Sequence, residues 1–204
     1  MMKQTIIYLV RHGESVSNKQ GIISGHSDYE LTEQGEEQVR QTRLALKNVH
    51  FDEAYSSDLK RAVRTAEILY GKPVEKTNKI HTLRERDFGS MDGKPQHIYE
   101  AYSEKKKKMV GEESWLFKHV PDMENDHELS MRFLPALEKI ARSNAGKTIL
   151  IAAHGSAIRT TIMKLTGYTY KELPSGSFGN ASYAELVYDK DRGLKVIQIN
   201  GVKL

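Results

Sequence analysis

TIIYLV at residues 5–10 and TILIAA at residues 148–153 are the two stretches from which the fold of this 204-residue chain follows. Both are short, continuously apolar and rich in β-branched residues, which is typical of strands buried on both faces of a sheet. Amphipathic helical patterns lie between them and after the second stretch. Strands that alternate with helices predict an α/β fold with a mostly parallel central sheet and, at the end of the chain, an antiparallel pair.

The same rules predict the remaining elements. Thr32 and the run Ser56-Ser57-Asp58 are side chains that cap helices, and Gly71 and Gly167 stand where helices commonly end. The predicted elements are helices over 32–48, 59–70 and 129–141, a helix that carries Ile158, Ile162 and Leu165 and ends before Gly167, strands over 53–55 and 74–80, and a hairpin of strands 183–189 and 194–200. Pro135 is expected to kink or split its helix.

Composition excludes several classes of protein. Hydrophobic residues make up 38% of the chain, as in globular proteins, and the absence of cysteine excludes a disulfide scaffold, a thiol nucleophile and a cysteine-ligated metal. The net charge of +4 is too small to indicate nucleic-acid binding, but it is compatible with a small anionic substrate. No segment is apolar over the roughly 18 residues of a membrane span, and the N-terminus lacks a signal-peptide cleavage site. We therefore expect a cytoplasmic protein without nucleic-acid or membrane partners.

One region departs from the alternating pattern. Residues 94–130 carry weak apolar periodicity, the lysine run Lys105 to Lys108 and the single Trp115. We expect one domain over residues 1–204, with 94–130 as an insertion or lid. The lysine run is expected to be a solvated helix face.

The candidate chemistry stands at the ends of the two decisive strands. Arg11-His12-Gly13 follows the first and His154-Gly155 follows the second. In open α/β sheets, ligands bind outside the carboxyl ends of the strands, so both histidines point to one crevice. A pair of hydrogen-bonded core histidines is the alternative. Arg11 must meet an anion in such an apolar setting, either a ligand or a structural carboxylate.

Arg61 is ambiguous on its residues alone. It falls in the first turn of the helix over 59–70 and off its apolar stripe, so a surface position is the default. The preceding strand, however, ends at the same crevice, where a helix N-terminus favours anions. Competing catalytic motifs are absent, since the sequence contains no GxSxG, GxxxxGK[ST], GxGxxG or HExxH.

Five ordered blocks resemble the histidine phosphatase superfamily, in its phosphoglycerate mutase-like branch (branch 1). They are RHGES at 11–15, SGHSDYELTEQG at 24–35, SSDLKRAVRTAE at 56–67, LRERDFGSMDG at 83–93 and AAHG at 152–155, with Asn18 between the first two. The resemblance covers residues 5 to about 167. It implies a three-layer α/β sandwich with a helical lid.

The resemblance also implies roles for individual residues. His12 would be the nucleophile that forms a phosphohistidine, and Glu85 would be the proton donor. Arg11, Arg61 and His154 would surround the phosphate without a metal, with Asn18, Ser24, Gly25, Arg86 and Gly155 as further phosphate or substrate contacts. A nucleophilic His12 needs a hydrogen-bond acceptor on its other nitrogen. For Glu85, the residues alone favour a surface ion pair with Arg84 or Arg86.

The residues leave two activities possible, a phosphatase and a mutase. We expect a phosphatase for small phosphorylated metabolites, because residues 94–130 lack the adjacent arginine pair that related mutases use. Arg86 matches a substrate-contacting arginine of the mutases and favours that alternative, in which 2,3-bisphosphoglycerate would be the cofactor, whereas Asp87 would repel an acidic substrate. Otherwise no cofactor is expected. A non-catalytic phosphate-binding domain is disfavoured because His12, Glu85 and His154 are all present.

Three further expectations concern the rim of the site and assembly. Met109, Trp115 and Phe117 either line an apolar leaving-group pocket or form the core of the lid. Asn180, in the segment 168–182, is a possible further donor, which only its place in the chain suggests. The protein is expected to be a monomer or a homodimer.

Overall fold

Five strands form one sheet in a computed structural model that describes residues 4–202. They are β1 (Thr5–Arg11), β2 (Glu53–Ser56), β3 (Thr148–Ala153), β4 (Phe178–Asp189) and β5 (Gly193–Val202). The strand order is β2-β3-β1-β4-β5. β3 pairs in parallel with both β1 and β2, whereas β4 is antiparallel to β1 and to β5. Four strands therefore run the same way, which confirms a mostly parallel sheet with an antiparallel finish.

Seven α-helices connect the strands within residues 4–202. They are α1 (Val16–Lys19), α2 (Glu33–Ala45), α3 (Lys60–Tyr70), α4 (Gln96–Lys107), α5 (Gly111–Leu116), α6 (Asp126–Ser143) and α7 (Gly155–Thr166). Thr32 caps α2 as predicted, since its hydroxyl accepts a hydrogen bond from the Gly35 amide at 3.0 Å. Gly71 and Gly167 end α3 and α7 in the left-handed conformation, as their positions predicted.

Helices cover both faces of the sheet. One core joins Val10, Ala54 and Leu150 of the strands to Val39 of α2 and to Ala66 and Leu69 of α3. The other joins Ile7, Leu9, Ile149 and Ile151 to Phe133 and Leu137 of α6 and to Ile158 and Ile162 of α7. These two cores make the molecule the three-layer α/β sandwich that the sequence predicted.

Strand register brings the candidate residues to one edge. Arg11 is the register partner of Ala153, and Ser56 is that of Ala152. The carboxyl ends of β1, β2 and β3 therefore lie side by side, so the residues that follow them start from the same edge.

Residues 94–130 hold two helices, α4 and α5, and the irregular chain that leads to α6. Tyr102 of α4 stacks on Phe117, with ring centroids 5.2 Å apart, within a small separate core that includes Tyr99 and Met123. The lysine run ends α4, and its other members are exposed, but Lys106 is fully buried. The prediction of a solvated run was therefore wrong at this one residue.

Three local predictions were wrong. Residues 74–80 form no strand, because the exposed polar stretch Glu75–Lys79 makes a 3₁₀ turn at Lys76–Asn78 and only one isolated bridge, from Lys79 to Ser56. The N-cap of α3 is Leu59, without a side-chain cap; Ser57 accepts only from the Leu59 amide, at 3.3 Å, and Asp58 pairs with Arg84. β1 is not covered on both faces along its whole length, because Ile6 is 37% exposed.

Pro135 does not split its helix. α6 continues through it from Asp126 to Ser143, with Asn125 as N-cap in a reciprocal capping box with Glu128. Strong capping at the N-terminus and burial of Leu129, Phe133 and Leu137 hold the helix together across the missing amide hydrogen bond.

Candidate active site

His12 directly follows β1 at the carboxyl edge of the sheet. Its Nδ1 lies 2.7 Å from the carbonyl oxygen of Gly13. Because a carbonyl can only accept a hydrogen bond, Nδ1 carries the proton and Nε2 keeps a free lone pair. An acceptor of the kind predicted for a nucleophilic His12 is therefore present.

His12 and His154 lie against each other, with ring centroids 5.2 Å apart. Burial lowers the pKa of His12 well below 6.5, and the nearby charges of Arg61 and Arg11 lower it further. The pKa of His154, which is fully buried, is lowered by burial and then by Arg61. Both imidazoles are thus neutral at pH 7, the state in which a histidine can act as a nucleophile.

Arg61 is fully buried, although its residue pattern alone suggested the surface. Its guanidinium donates to the carbonyl oxygens of Gly25 and Ser27, each at 2.8 Å. Burial lowers the pKa of Arg61 to about 10, so the side chain stays charged at pH 7. Arg11 donates in a similar way from Nη1 to the carbonyl of Phe178.

These two arginines still have donors to offer. The buried Nε atoms of Arg11 and Arg61 have no acceptor among the residues that the structure describes. Hydrogen bonds to neutral carbonyls orient the two cations but do not neutralise them. An anion with several acceptor oxygens, such as a phosphoryl group, is the ligand that this arrangement favours.

Glu85 lies at the N-terminus of α7, where its carboxylate accepts three backbone hydrogen bonds. Oε1 accepts from the amides of Arg86 at 2.7 Å and Ala157 at 3.1 Å, and Oε2 accepts from Ser156 at 2.9 Å. The surface ion pair considered for Glu85 is wrong, because Arg84 pairs with Asp58 and Arg86 pairs with Asp126. Glu85 is instead 7% exposed and fixed by helix amides.

A cavity of about 360 Å³ opens at this edge. Its wall includes five predicted site residues, Arg11, Asn18, Ser24, Glu85 and Gly155. The predicted residues His12, His154 and Arg61 are buried beside this cavity. His12 and His154 are next in the chain to the lining residues Arg11 and Gly155. Arg61 bonds the loop that follows Ser24. A larger depression of about 860 Å³, lined by Thr5, Tyr188 and others, is at the opposite end of β1 and holds no predicted site residue.

Two predicted contacts are not in the cavity wall. Arg86 is fully buried, donates to Asp126 and to the carbonyl of Glu124, and does not line the cavity, so this arrangement does not favour the expected substrate contact. Gly25 donates its amide to Asp92 at 3.1 Å and accepts from Arg61. It supports Arg61 and leaves no free amide for a ligand.

The lid contributes to the cavity through α4. Gln96, Tyr99, Glu100, Ser103, Glu104 and Lys107, which share one helical face, line it. Phe117 packs in the core of the lid and Trp115 packs against the main core, so neither joins Met109 in an apolar pocket. The lid-core alternative is supported for Phe117 alone.

Residue patterns did not reveal the role of Asp92. Its carboxylate accepts from the amides of Gly25, His26 and Ser27, at 2.9 to 3.1 Å. This turns the carbonyl groups of the loop towards Arg61. Asp92 belongs to the LRERDFGSMDG block, which was the one signal that could have found it.

Comparison with known proteins identifies the class. The sequence model of the histidine phosphatase superfamily (branch 1) matches residues 7–200. The chain belongs to this superfamily.

Individual relatives include both activities. An uncharacterized phosphatase, PhoE, from Bacillus subtilis (strain 168) is 31% identical over 92% of this chain and 91% of its own. A 2,3-bisphosphoglycerate-dependent phosphoglycerate mutase from Parvibaculum lavamentivorans is also 31% identical, over 91% and 90%. The crystal structure of phosphoserine phosphatase from Entamoeba histolytica, in complex with 3-phosphoglyceric acid, superposes with a TM-score of 0.78 and 28% identity, over 96% of each chain. The phosphoglycerate mutase-like fold is therefore confirmed.

Residues 4–202 contain neither a membrane-spanning helix nor a cluster of metal ligands. No helix there is both long and apolar enough to cross a membrane. No group of three or more histidine, aspartate or glutamate side chains in the same range is arranged to hold a metal ion.

Proposed function

We propose that the protein is a phosphatase that hydrolyses small phosphomonoesters without a metal, through a phosphohistidine on His12. The observation that carries this proposal is the state of His12. It is a buried, neutral imidazole with Nδ1 bonded to a carbonyl and Nε2 free, beside two arginines. Such a group is an activated nucleophile in a site that compensates the charge of a phosphoryl group.

The proposed reaction has two steps. In the first, the lone pair of His12 Nε2 attacks phosphorus, the bond to the leaving oxygen breaks, and protonated Glu85 gives its proton to that oxygen. In the second, water attacks the phosphohistidine, the Glu85 carboxylate takes the proton of the water, and the phosphorus–nitrogen bond breaks. Inorganic phosphate leaves, and His12 and Glu85 return to their starting states.

Charge at the cavity mouth supports hydrolysis over mutase activity. The charged lid residues that line the cavity are Glu100, Glu104 and Lys107, and Lys107 is paired with Glu104. The lid side of the cavity therefore carries one net negative charge, which disfavours 2,3-bisphosphoglycerate, the most highly charged of the candidate ligands. The phosphatase needs no such cofactor.

A phosphoglycerate mutase is the second candidate. It is favoured by relatives of that activity at the same 31% identity as the phosphatase relative. The substrate, the cytoplasmic location and the state as monomer or homodimer remain predictions.

A ³¹P NMR time course distinguishes the two activities. Excess chelator is present, and 3-phosphoglycerate is offered with a trace of 2,3-bisphosphoglycerate. The phosphatase predicts growth of inorganic phosphate, whereas accumulation of 2-phosphoglycerate with little phosphate would establish the mutase. His12→Ala is expected to lower the rate about a thousandfold or more. His50→Ala, at an exposed histidine before β2, is the matched control and is expected to keep the wild-type rate.

A further inference from the structure

Asn180 lies in the irregular first part of β4. Regular pairing with β5 is interrupted between Phe178 and Tyr183. The next residue, Ala181, has a φ of 58°, and it is the one non-glycine residue in the left-handed region within residues 4–202. L-residues seldom adopt this conformation, and such outliers and bulges concentrate where a side chain must be aimed at a functional site.

The irregularity brings Asn180 to the catalytic edge. Asn180 Nδ2 donates to the carbonyl oxygen of His12 at 3.3 Å and to Oδ1 of Asn18 at 3.1 Å. The amide of Ala181 donates to the same His12 carbonyl at 3.2 Å. Because that carbonyl can only accept, the orientation of the Asn180 amide is fixed.

Asn18 is held in one orientation by the same contacts. Its Oδ1 accepts from the backbone amide of Ser15 at 3.2 Å as well as from Asn180. A backbone amide can only donate, so Oδ1 and not Nδ2 must face Ser15. Asn18 lines the cavity, and none of the hydrogen bonds among residues 4–202 uses its Nδ2 as donor. Both Nδ2 protons are thus available to a ligand.

We propose that Asn180 is a positioning residue, which fixes the Asn18 amide so that its Nδ2 donates to the bound phosphoryl group. The Ser15 amide alone would give Asn18 Oδ1 one hydrogen bond, and Asn180 supplies a second. The contact with the His12 carbonyl ties this amide to the chain segment that carries the nucleophile. The proposal rests on the proposed function only in that the cavity accepts a phosphoryl group.

A double-mutant cycle on phosphate affinity tests the proposal. Isothermal titration with inorganic phosphate is carried out on the wild type, Asn18→Ala, Asn180→Ala and the double variant. Loss of one hydrogen bond to a charged group corresponds to a weakening of about tenfold or more. We expect a similar weakening for each single variant and no further weakening in the double variant, because Asn180 acts through Asn18.

Two outcomes would overturn the proposal. One is an unchanged phosphate affinity in Asn180→Ala, and the other is a double variant whose loss is the product of the two single losses. The Michaelis constant and kcat for a phosphomonoester should show the same coupling. Cooperative unfolding of each variant checks that its fold is kept. In variants that pass this check, loss of fold cannot be the source of the coupling.

Matched variants keep the test independent of folding and of turnover. Ser182→Ala removes a hydroxyl in the same irregular segment that bonds Gly179, and it should leave phosphate affinity unchanged. Asn180→Asp, nearly the same shape, cannot donate and should weaken phosphate binding at least as much as Asn180→Ala; wild-type affinity in this variant would contradict the proposal. If the wild type binds phosphate but hydrolyses no phosphomonoester, the proposed function fails while the coupling still tests Asn180.

Discussion

At the scale of single residues, the proposed chemistry depends on a histidine that the fold keeps neutral. His12 is 4% exposed and close to Arg11 and Arg61, and both burial and these charges oppose its protonation. Its Nδ1 is bonded to Gly13. The lone pair of Nε2, the proposed nucleophile, is therefore available well below the pH at which an ordinary histidine becomes charged.

The protonation state of His12 gives the first prediction. The folded-state pKa is lowered from 6.5, so at pH 6 the ¹⁵N NMR spectrum should show a neutral ring with a protonated Nδ1 and a bare Nε2. The same shift means that His12 contributes stability above pH 6.5, which is lost as the pH falls towards the folded-state pKa. An imidazolium signal for His12 at pH 6 would contradict this account.

The sequence was sufficient to place residues that directly follow a strongly apolar strand. His12, His154 and Arg11 follow apolar strands, so their place at one edge followed from topology. Arg61 needed the family resemblance, because the crevice that buries it is made by distant segments. The ion pair of Arg86 with Asp126 was missed for a related reason: the two residues are forty positions apart and no local pattern joins them.

At the scale of elements, close contact between backbones holds the loop that carries His12 against α2. A Cβ built on Gly13 would lie 2.3 Å from the carbonyl oxygen of Gly35. Gly13 has an ordinary negative-φ backbone, so it is the approach of two chain segments that requires glycine here, and not the turn. At Gly155 the nearest atom is instead Nε of Arg11, 3.2 Å away at the end of a flexible side chain.

These two glycines give contrasting predictions. Gly13→Ala should lower the free energy of unfolding by about 1–3 kcal/mol or more, since backbone must move. Gly155→Ala should change it by less than about 1 kcal/mol, because a side chain can move aside. It should nevertheless weaken phosphate binding, because that side chain is Arg11. Chemical denaturation and phosphate titration check both variants, and equal destabilisation by the two would be inconsistent with this packing.

Element boundaries show where local patterns fail. Thr32, Gly71 and Gly167 marked helix ends correctly because their roles depend on neighbouring backbone alone. The strand expected over residues 74–80 did not form, since only Val74 and Ile80 there are apolar enough to pack. The irregular start of β4 around Ala181 was not predicted either, because its left-handed residue is an alanine, which no turn rule selects.

At the scale of the whole molecule, one buried carboxylate holds three cations. Asp126 contacts Arg86 and Lys106, with Arg159 3.6 Å away, and all four side chains are at most 3% exposed. Burial alone would raise the pKa of Asp126, but Arg86, Arg159 and Lys106 lower it well below its usual value. This cluster joins α4 of the lid to α6 and α7 of the main core.

Asp126 is therefore expected to be essential for stability. Asp126→Asn leaves three buried cations without a counter-charge, and we expect it to lower the free energy of unfolding by about 3–5 kcal/mol. Denaturant titration at pH 7 measures this. A loss below about 1 kcal/mol would show that the cluster does not hold the lid to the core.

Lys106 should behave in the opposite way. Burial, with Arg86 and Arg159, lowers its pKa to about 8 although Asp126 opposes the shift, so its charge is unfavourable at pH 7. Lys106→Met should raise the free energy of unfolding by about 1 kcal/mol, because the apolar chain remains buried. Between pH 8 and 10.5 the folded state loses the Lys106 proton before the unfolded state does. The free energy of unfolding of the wild type should therefore rise over this range towards that of Lys106→Met.

A second lysine of the same run is the control for this prediction. Lys108→Met, at an exposed position, should change the free energy of unfolding by no more than about 0.5 kcal/mol. Destabilisation by Lys106→Met of several kcal/mol would mean that the third cation is required.

The layered architecture was predictable from alternating strands and helices, whereas this cluster was not, because it depends on how the lid packs.

The proposed mechanism requires that His12 carries the phosphoryl group and that Glu85 assists both steps. The most direct measurement is the pre-steady-state release of nitrophenol from p-nitrophenyl phosphate by Glu85→Gln. This leaving group needs no proton donor, so phosphorylation stays fast while hydrolysis, without its base, becomes slow. We predict a burst of about one equivalent of nitrophenol per site, with acid-labile phosphate on His12 and no burst when His12→Ala is added. A linear release without phosphoenzyme, or label on another residue, would contradict the account.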